Sequence, residues 1–408
     1  MSILTILHPQ VVPHVQGLPI GLWPLSFRNE ADPKLLIKTT KEMVLAAKVN
    51  GGFKVYVIPI TLSGQESIGV ISAFFDVEDE PLVIFTPLFD EAETHKLINM
   101  LRLPTLDIHF FDEHSRELLG YTCELKCSAN AKDRLTNPSL CAFEINLARS
   151  ALDQLRRWFG VRTHDDDLAA ISIGFGESHF ADDLVILDAR PDNHRFPGSP
   201  TFSFSQLERK EPGTFQEQDI ARLLGRLFEP ADIYMNPLRV TDKEEITDIL
   251  VITESEIIVL QAKDSPNTEN VLRNTIARKK LTAQKALLKA ISQVRGALRY
   301  MKSTSPLKMI VGGEAVEMDI SKHKVRALIV IKELFDDEYS NYSPPIIKLS
   351  NDSQVPCIAL DYPELQAYTG MSSQGKFLEA FDLVFSHGEK IGELPRLRIF
   401  SIHEEDSQ

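Results

Sequence analysis

Asp248, Gln261 and Lys263 are three polar residues at the outer ends of two aliphatic runs in EEITDILVITESEIIVLQAKD, residues 244–264. A carboxylate and an ammonium are costly to bury unless they pair with each other or hold a metal, so their placement decides what the stretch can do. The aliphatic runs on either side of Glu254-Ser255 read as two strands of an antiparallel hairpin. With a two-residue loop there, Thr253 faces Glu256, Asp248 faces Gln261 and Ile246 faces Lys263. One face then carries Ile246, Asp248, Leu250 and Ile252 beside Ile257, Val259, Gln261 and Lys263; the other carries Thr247, Ile249 and Val251 beside Ile258, Leu260 and Ala262. Directly opposed Cβ atoms lie about 5 Å apart and diagonal ones about 7 Å, so the three polar side chains converge at the open end of one apolar face. Both faces are largely apolar, which predicts a sheet covered on both sides. Glu-Ser is not a favoured two-residue turn, and a longer loop would shift this register.

The neighbouring elements set the context. Residues 214–228 read as a helix, 233–240 as an edge strand interrupted by Pro237, 246–252 and 257–263 as the hairpin strands, and 270–301 as one long helix. VRALIVI at 325–331 is a strand buried on both faces, and 357–360 is a further strand. The predicted order is helix, three strands, helix, strand.

A strand Asp followed by (D/E/Q)-x-K on the next strand, within an αβββαβ order, resembles the PD-(D/E)XK (restriction endonuclease-like) nuclease superfamily; the Gln261-x-Lys263 form is similar to its Mrr-like QxK members. The resemblance covers residues 214–360 and implies a catalytic set of Asp248, Gln261 and Lys263 with Glu217 on the first helix. Asp248 would be the principal metal-binding carboxylate, joined by the Gln261 amide oxygen and the Ala262 backbone carbonyl, and Lys263 would orient the attacking water. The implied cofactor is Mg²⁺ or Mn²⁺, a hard cation that takes oxygen ligands and polarises a phosphoryl oxygen. Gln in place of Glu removes one negative charge, which weakens metal binding. The resemblance further implies Gln293 and Tyr300 as supporting residues, DNA as substrate, and a homo-oligomer, since cutting a duplex needs two sites. A bacterial restriction or anti-phage defence nuclease is the corresponding biological role, by fold-level analogy.

Charge supports the same direction. The 408-residue chain carries a formal net charge of −14, which alone argues against wholesale electrostatic binding of nucleic acid. Residues 271–310, however, contain ten Lys and Arg and no Asp or Glu, leaving −24 on the rest. Along the predicted helix Leu287, Ile291, Val294, Leu298 and Met301 form an apolar stripe. Lys285, Lys289 and Arg299 lie opposite it; with Lys279 and Lys280 they are the candidate phosphate contacts.

Each feature has a plainer reading. Asp248 and Lys263 can be a structural ion pair, Thr214-x-x-Glu217 can be a capping box, and a basic helix face can be merely solvated. A nuclease-fold module without catalysis, serving nucleic-acid binding or complex assembly, is the alternative function.

Residues 1–190 read as an α+β domain of recognition, regulation or assembly, with helices at 31–50, 91–101 and 140–159 and strands at 53–62, 68–75, 82–85, 106–111, 118–125, 169–175 and 184–187. A Pro-rich linker at 191–213 follows, then a nuclease-like domain at 214–408, so the expected class is α/β overall. Cys123, Cys127 and Cys141 with His109 and His114 are too loosely spaced for zinc. Gly174-Phe-Gly176 lacks a third glycine and a helix, and His164-Asp-Asp-Asp167 is an acidic loop that could hold metal but reads rather as solvated. Composition is that of an ordinary globular protein, and four cysteines make no disulfide framework. No run approaches about 18 apolar residues and MSILTILHPQVV has no basic leader, so the expectation is a cytoplasmic protein with no membrane partner.

Overall fold

The computed structural model describes residues 3–27, 33–77, 81–181 and 184–396; of Thr214 it describes the backbone alone. The chain is mixed α/β and divides into two compact units: residues 1–185 with 206–210 and 267–274, and residues 186–205, 211–266 and 275–408. The segment 191–213 is divided between them and carries structure of its own, a 3-10 turn at Pro191–Asn193 and a short strand at Ser203–Ser205. No helix among the described residues is long and apolar enough to cross a membrane.

The first unit contains helices α1 (Leu4–Leu7), α2 (Val11–Gly17), α3 (Lys41–Val49), α4 (Ala92–Met100), α5 (Ala129–Thr136), α6 (Ile145–Phe159) and α7 (His164–Ala169). Its strands are β1 (Gly21–Leu25), β2 (Lys34–Lys38), β3 (Gly52–Leu62), β4 (Gln65–Phe74), β5 (Leu82–Pro87), β6 (Thr105–Phe111), β7 (Glu117–Lys126) and β8 (Ile171–Ser178). They form one sheet in the order β1-β2-β6-β7-β8-β3-β4-β5, antiparallel except for β2 beside β6. The β3–β4 hairpin turns through Ser63 and Gly64, both at positive φ, which matches the twist of the flanking strands. Ala151 and Leu155 of α6 pack on Tyr56, Ile58 and Ile71, and Leu155 lies so close to Gly69 that a Cβ there would meet it at 2.9 Å.

The expected helix at 31–50 is corrected. Ala31 and Asp32 fall outside the described residues; Lys34–Lys38 is strand β2, and the helix starts at Lys41 behind Thr40, whose side chain accepts from Met43 N–H. A short apolar run, KLLIK, fits either period, and burial between β1 and β6 selects the strand. The helix at 140–159 likewise begins only at Ile145. The acidic loop is instead the first turn of α7, capped by Thr163 and Asp166, where Asp167 accepts from Tyr56 Oη at 2.5 Å.

In the second unit a two-stranded sheet pairs β9 (Ile186–Asp188) with β10 (Ser203–Ser205). Then follow α8 (Gly213–Leu224), β11 (Ile233–Met235), β12 (Leu238–Arg239), β13 (Ile249–Ile252) and β14 (Glu256–Lys263). The short α9 (Glu269–Leu272) belongs to the first unit. The rest is α10 (Ile276–Ser303), β15 (Leu307–Val311), β16 (Glu314–Met318), β17 (Lys324–Ile331), α11 (Tyr339–Ser353), β18 (Cys357–Asp361), α12 (Tyr362–Met371) and α13 (Gln374–Ile391). The main sheet has the order β11-β13-β14-β17-β18, antiparallel from β11 to β14 and parallel from β14 to β18. Parallel strands need a long crossover, which α10 and the β15–β16 hairpin supply between β14 and β17. β13 is buried throughout, as are Ile257–Ala262 of β14 and Arg326–Ile331 of β17, so both faces are covered, with α8 and α10 packed against β14. Pro237 splits the expected strand at 233–240 into β11 and β12, each at the edge of a different sheet. The expected helix at 270–301 is broken at residues 273–275, where Thr275 caps α10.

One buried carboxyl in the first unit makes a test of the fold. Glu113 is 2% exposed and neither carboxylate oxygen has a hydrogen-bond partner among the described residues. Burial first, then repulsion from Asp112 and Glu42, outweighs attraction to Lys41 and pushes its pKa from 4.5 up to about 8. The folded chain therefore holds a proton that the unfolded chain loses near 4.5, and stability falls as pH rises through that window by about 1.4 kcal/mol per pH unit. Glu113→Gln is expected to flatten this slope. Both tryptophans, Trp23 and Trp158, lie in this unit, so urea melts followed by tryptophan fluorescence at pH 5 to 8 read it directly; an unchanged slope in the variant contradicts the assignment.

Candidate active site at the open end of the β13–β14 hairpin

The β13–β14 ladder pairs Ile249 with Leu260, Leu250 with Val259, Val251 with Ile258 and Ile252 with Ile257, the register the sequence predicts. Thr253 explains how an unfavoured Glu-Ser turn is tolerated: its hydroxyl accepts from Ser255 N–H at 3.4 Å and Glu256 N–H at 3.0 Å, bracing the loop. Beyond Ile249 the chain leaves the ladder, and side chains replace its next bonds. Thr247 Oγ1 donates to the Leu260 carbonyl at 2.6 Å, and Ala262 N–H donates to Asp248 Oδ2 at 2.6 Å. The expected pairing of Ile246 with Lys263 is not formed, because Ile246 N–H turns to the Pro237 carbonyl at 2.8 Å.

These bonds pin Asp248, 5% exposed, beside the end of β14. Lys263 Nζ lies 3.7 Å from Asp248 Oδ2 and donates to the Ala262 carbonyl at 2.7 Å. Gln261 is 1% exposed, and its amide nitrogen has no hydrogen-bond partner among the described residues. A buried amide rarely forgoes a partner, and half a turn of its side chain would present oxygen at the same place. Glu217, on α8, points its carboxylate into the same group and accepts from Asn236 Nδ2 at 3.1 Å. The helix starts at Gly213 with Pro212 as its N-cap, so Thr214 is not the capping residue; its side chain lies outside the described residues.

Electrostatics tie these groups together. Burial, then repulsion from Asp248, raises the Glu217 pKa to about 7 against the opposing pull of Asn236 and Lys263. Glu245, which the sequence reading missed, joins them from the exposed rim: partial desolvation of its carboxyl, a hydrogen bond to Asp248 and repulsion from Asp248 and Glu217 raise its proton affinity. The signal was its position three residues before Asp248, hidden by the assumption that the strand began at Ile246. Three carboxyls thus compete for one lysine. Among the described residues no group of three His, Cys, Asp or Glu side chains is placed to hold a metal ion by itself. A cation here would have to draw on the Gln261 amide and on water as well, which suits Mg²⁺ or Mn²⁺ better than a metal needing a complete protein cage. The orphaned Gln261 amide and the excess of carboxyls over positive charge both fit such an ion.

The other predicted residues divide. Lys285, Lys289 and Arg299 are exposed on α10 and form no ion pair among the described residues. At 1.5 Å per residue, Lys285 and Arg299 are about 21 Å apart along the helix, an extended stripe rather than a focus on the trio. The basic tract is less unbalanced than its sequence implies, since acids from distant segments reach it: Lys280 pairs with Asp337 and Glu338, Arg295 with Asp352 and Lys308 with Glu317. Lys279 is half-buried. Gln293 is exposed and makes no hydrogen bond among the described residues, and Tyr300 Oη donates to the Lys308 carbonyl at 2.6 Å, so neither is joined to the trio by a hydrogen bond. In the first unit the cysteines form no disulfide among the described residues, and His109 is held by Glu117 at 2.9 Å.

No protein-family model and no curated protein matches the chain.

The carboxyl crowding predicts a trade of stability for function. Asp248→Asn keeps the acceptor for Ala262 N–H and relieves repulsion with Glu217 and Glu245. In EDTA it is expected to raise the unfolding free energy of this unit by roughly 0.5–2 kcal/mol, read from chemical denaturation by far-ultraviolet circular dichroism. A loss of stability would show that the Asp248 charge is held by favourable pairing instead.

Proposed function

We propose that the chain is a metal-dependent nuclease hydrolysing phosphodiester bonds of DNA, built on a restriction-endonuclease-like αβββαβ core. The observation that carries this reading is the 3.7 Å approach of Asp248, just ahead of β13, to Lys263 at the end of β14, with Gln261 buried two residues before Lys263 on the same strand. The order α8, β11, β13, β14, α10, β17 around them agrees with that core. Asp248, Gln261 and Glu217 would hold Mg²⁺ or Mn²⁺, with the Ala262 carbonyl available once Lys263 turns from it. When bound, the cation supplies charge stabilisation at the phosphoryl oxygen and a more acidic water. Lys263, its amine now shared between Asp248 and the Ala262 carbonyl, has the reach and charge to orient water and stabilise the developing negative charge. Lys285, Lys289 and Arg299 would follow the DNA backbone, adding affinity without sequence choice. A homo-oligomer, a cytoplasmic setting and a role in bacterial restriction or anti-phage defence belong to this proposal by analogy.

A second reading, a nuclease-fold module without catalysis, is favoured by one observation: Lys263 Nζ occupies the carbonyl that an active site would offer to metal. The two separate in one assay. Plasmid and single-stranded DNA are incubated with the protein in Mg²⁺, Mn²⁺ or EDTA, beside Lys263→Ala and Asp248→Ala. The expected result is cation-dependent cleavage reduced at least 100-fold in both variants. Cleavage that survives both substitutions removes the site, and DNA binding without cleavage favours the module. Charge reversal of Lys285 and Lys289 is expected to weaken DNA binding uniformly across sequences and to reduce its salt dependence.

A further inference from the structure

Asn236 follows the last residue of β11 with φ +47 and is itself followed by Pro237. Left-handed backbone is disfavoured for residues with a Cβ, and a following proline restricts the preceding residue further. Glycine would serve the turn at least as well. What asparagine adds is its side chain: Nδ2 donates to Glu217 Oε2 at 3.1 Å. Its backbone N–H donates to the Asp248 carbonyl at 2.9 Å. The β11–β13 ladder pairs Met235 with Ile249, and the Asn236 N–H bond carries that pairing one position on to Asp248; across from it the β13–β14 ladder stops at Ile249–Leu260, and the Ala262 N–H bond to Asp248 Oδ2 holds Asp248 beside the Gln261–Ala262 segment. Asn236, Asp248 and Gln261 therefore make one row across three adjacent chain segments, with Glu217 brought to it from α8. Asn236 Oδ1 is also buried with no hydrogen-bond partner among the described residues, a second orphaned amide atom in the row besides Gln261 Nε2. Buried polar atoms without protein partners are expected where a hydrated ion supplies them.

We propose that Asn236 is a positioning residue of this centre, holding the Glu217 carboxylate beside Asp248 so that the two act together on a hard divalent cation. The proposal rests on the metal-centre reading above, and the test separates the two. Mn²⁺ affinity of the full chain is measured by electron paramagnetic resonance without DNA for the wild type, Asn236→Gly, Glu217→Gln, their double variant and Asp248→Ala. Glycine accepts the left-handed backbone, so Asn236→Gly is expected to melt no lower than the wild type while binding Mn²⁺ about 10-fold more weakly. Because Asn236 acts through Glu217, the double variant is expected to bind no worse than Glu217→Gln alone. Wild-type affinity in Asn236→Gly, or losses that multiply in the double variant, overturns the positioning role. Wild-type affinity in Asp248→Ala overturns the metal centre itself.

Discussion

The backbone ladder between β13 and β14 is the constraint on which the candidate site depends. Four residue pairs set the register, and a slip of one position would send Gln261 and Lys263 to the other face of the sheet, away from Asp248. The apolar side chains enforce the register, since both strands are buried and any slip would put mismatched volumes into a close-packed interior. The polar groups finish what the ladder begins. Thr247 and Asp248 make with side-chain oxygens the bonds that the departing backbone no longer makes, so the carboxylate that could hold a cation is also a structural acceptor.

This dual use shapes the energetics. Asp248 stands close enough to raise the proton affinity of both Glu217 and Glu245, with Lys263 the positive charge among them. A protein selected only for stability would have one carboxyl fewer. Crowded like charges, two buried amide atoms without partners and a left-handed asparagine before a proline all occur in one small region. Each is a local cost, and such costs concentrate where a site must act on something other than itself.

Much of this was legible from residue types alone. The facing pairs of the hairpin, the doubly buried strand at β17 and the break at Pro237 all follow from periodicity and proline chemistry. What escaped lay outside periodic segments. Glu245 and Asn236 sit where chain leaves a strand, and their roles come from bonds to residues distant in sequence. The misread helix at Lys34–Lys38 shows the complementary failure, since five apolar-centred residues satisfy either period and a parallel neighbour far along the chain decides. Charge misled differently. The tract at 271–310 has no acid within it, yet Asp337, Glu338, Asp352 and Glu317 approach it in the fold, leaving a shorter exposed stripe.

Whether the row of Asn236, Asp248 and Gln261 is a cation site is most directly read by diffraction from crystals grown with Mn²⁺, using anomalous scattering at the manganese edge. The account predicts one strong peak within coordination distance of the Asp248 carboxylate and the Gln261 amide oxygen, with Lys263 turned from the Ala262 carbonyl. A map without manganese there, or a hairpin whose register separates Asp248 from Gln261, would contradict it.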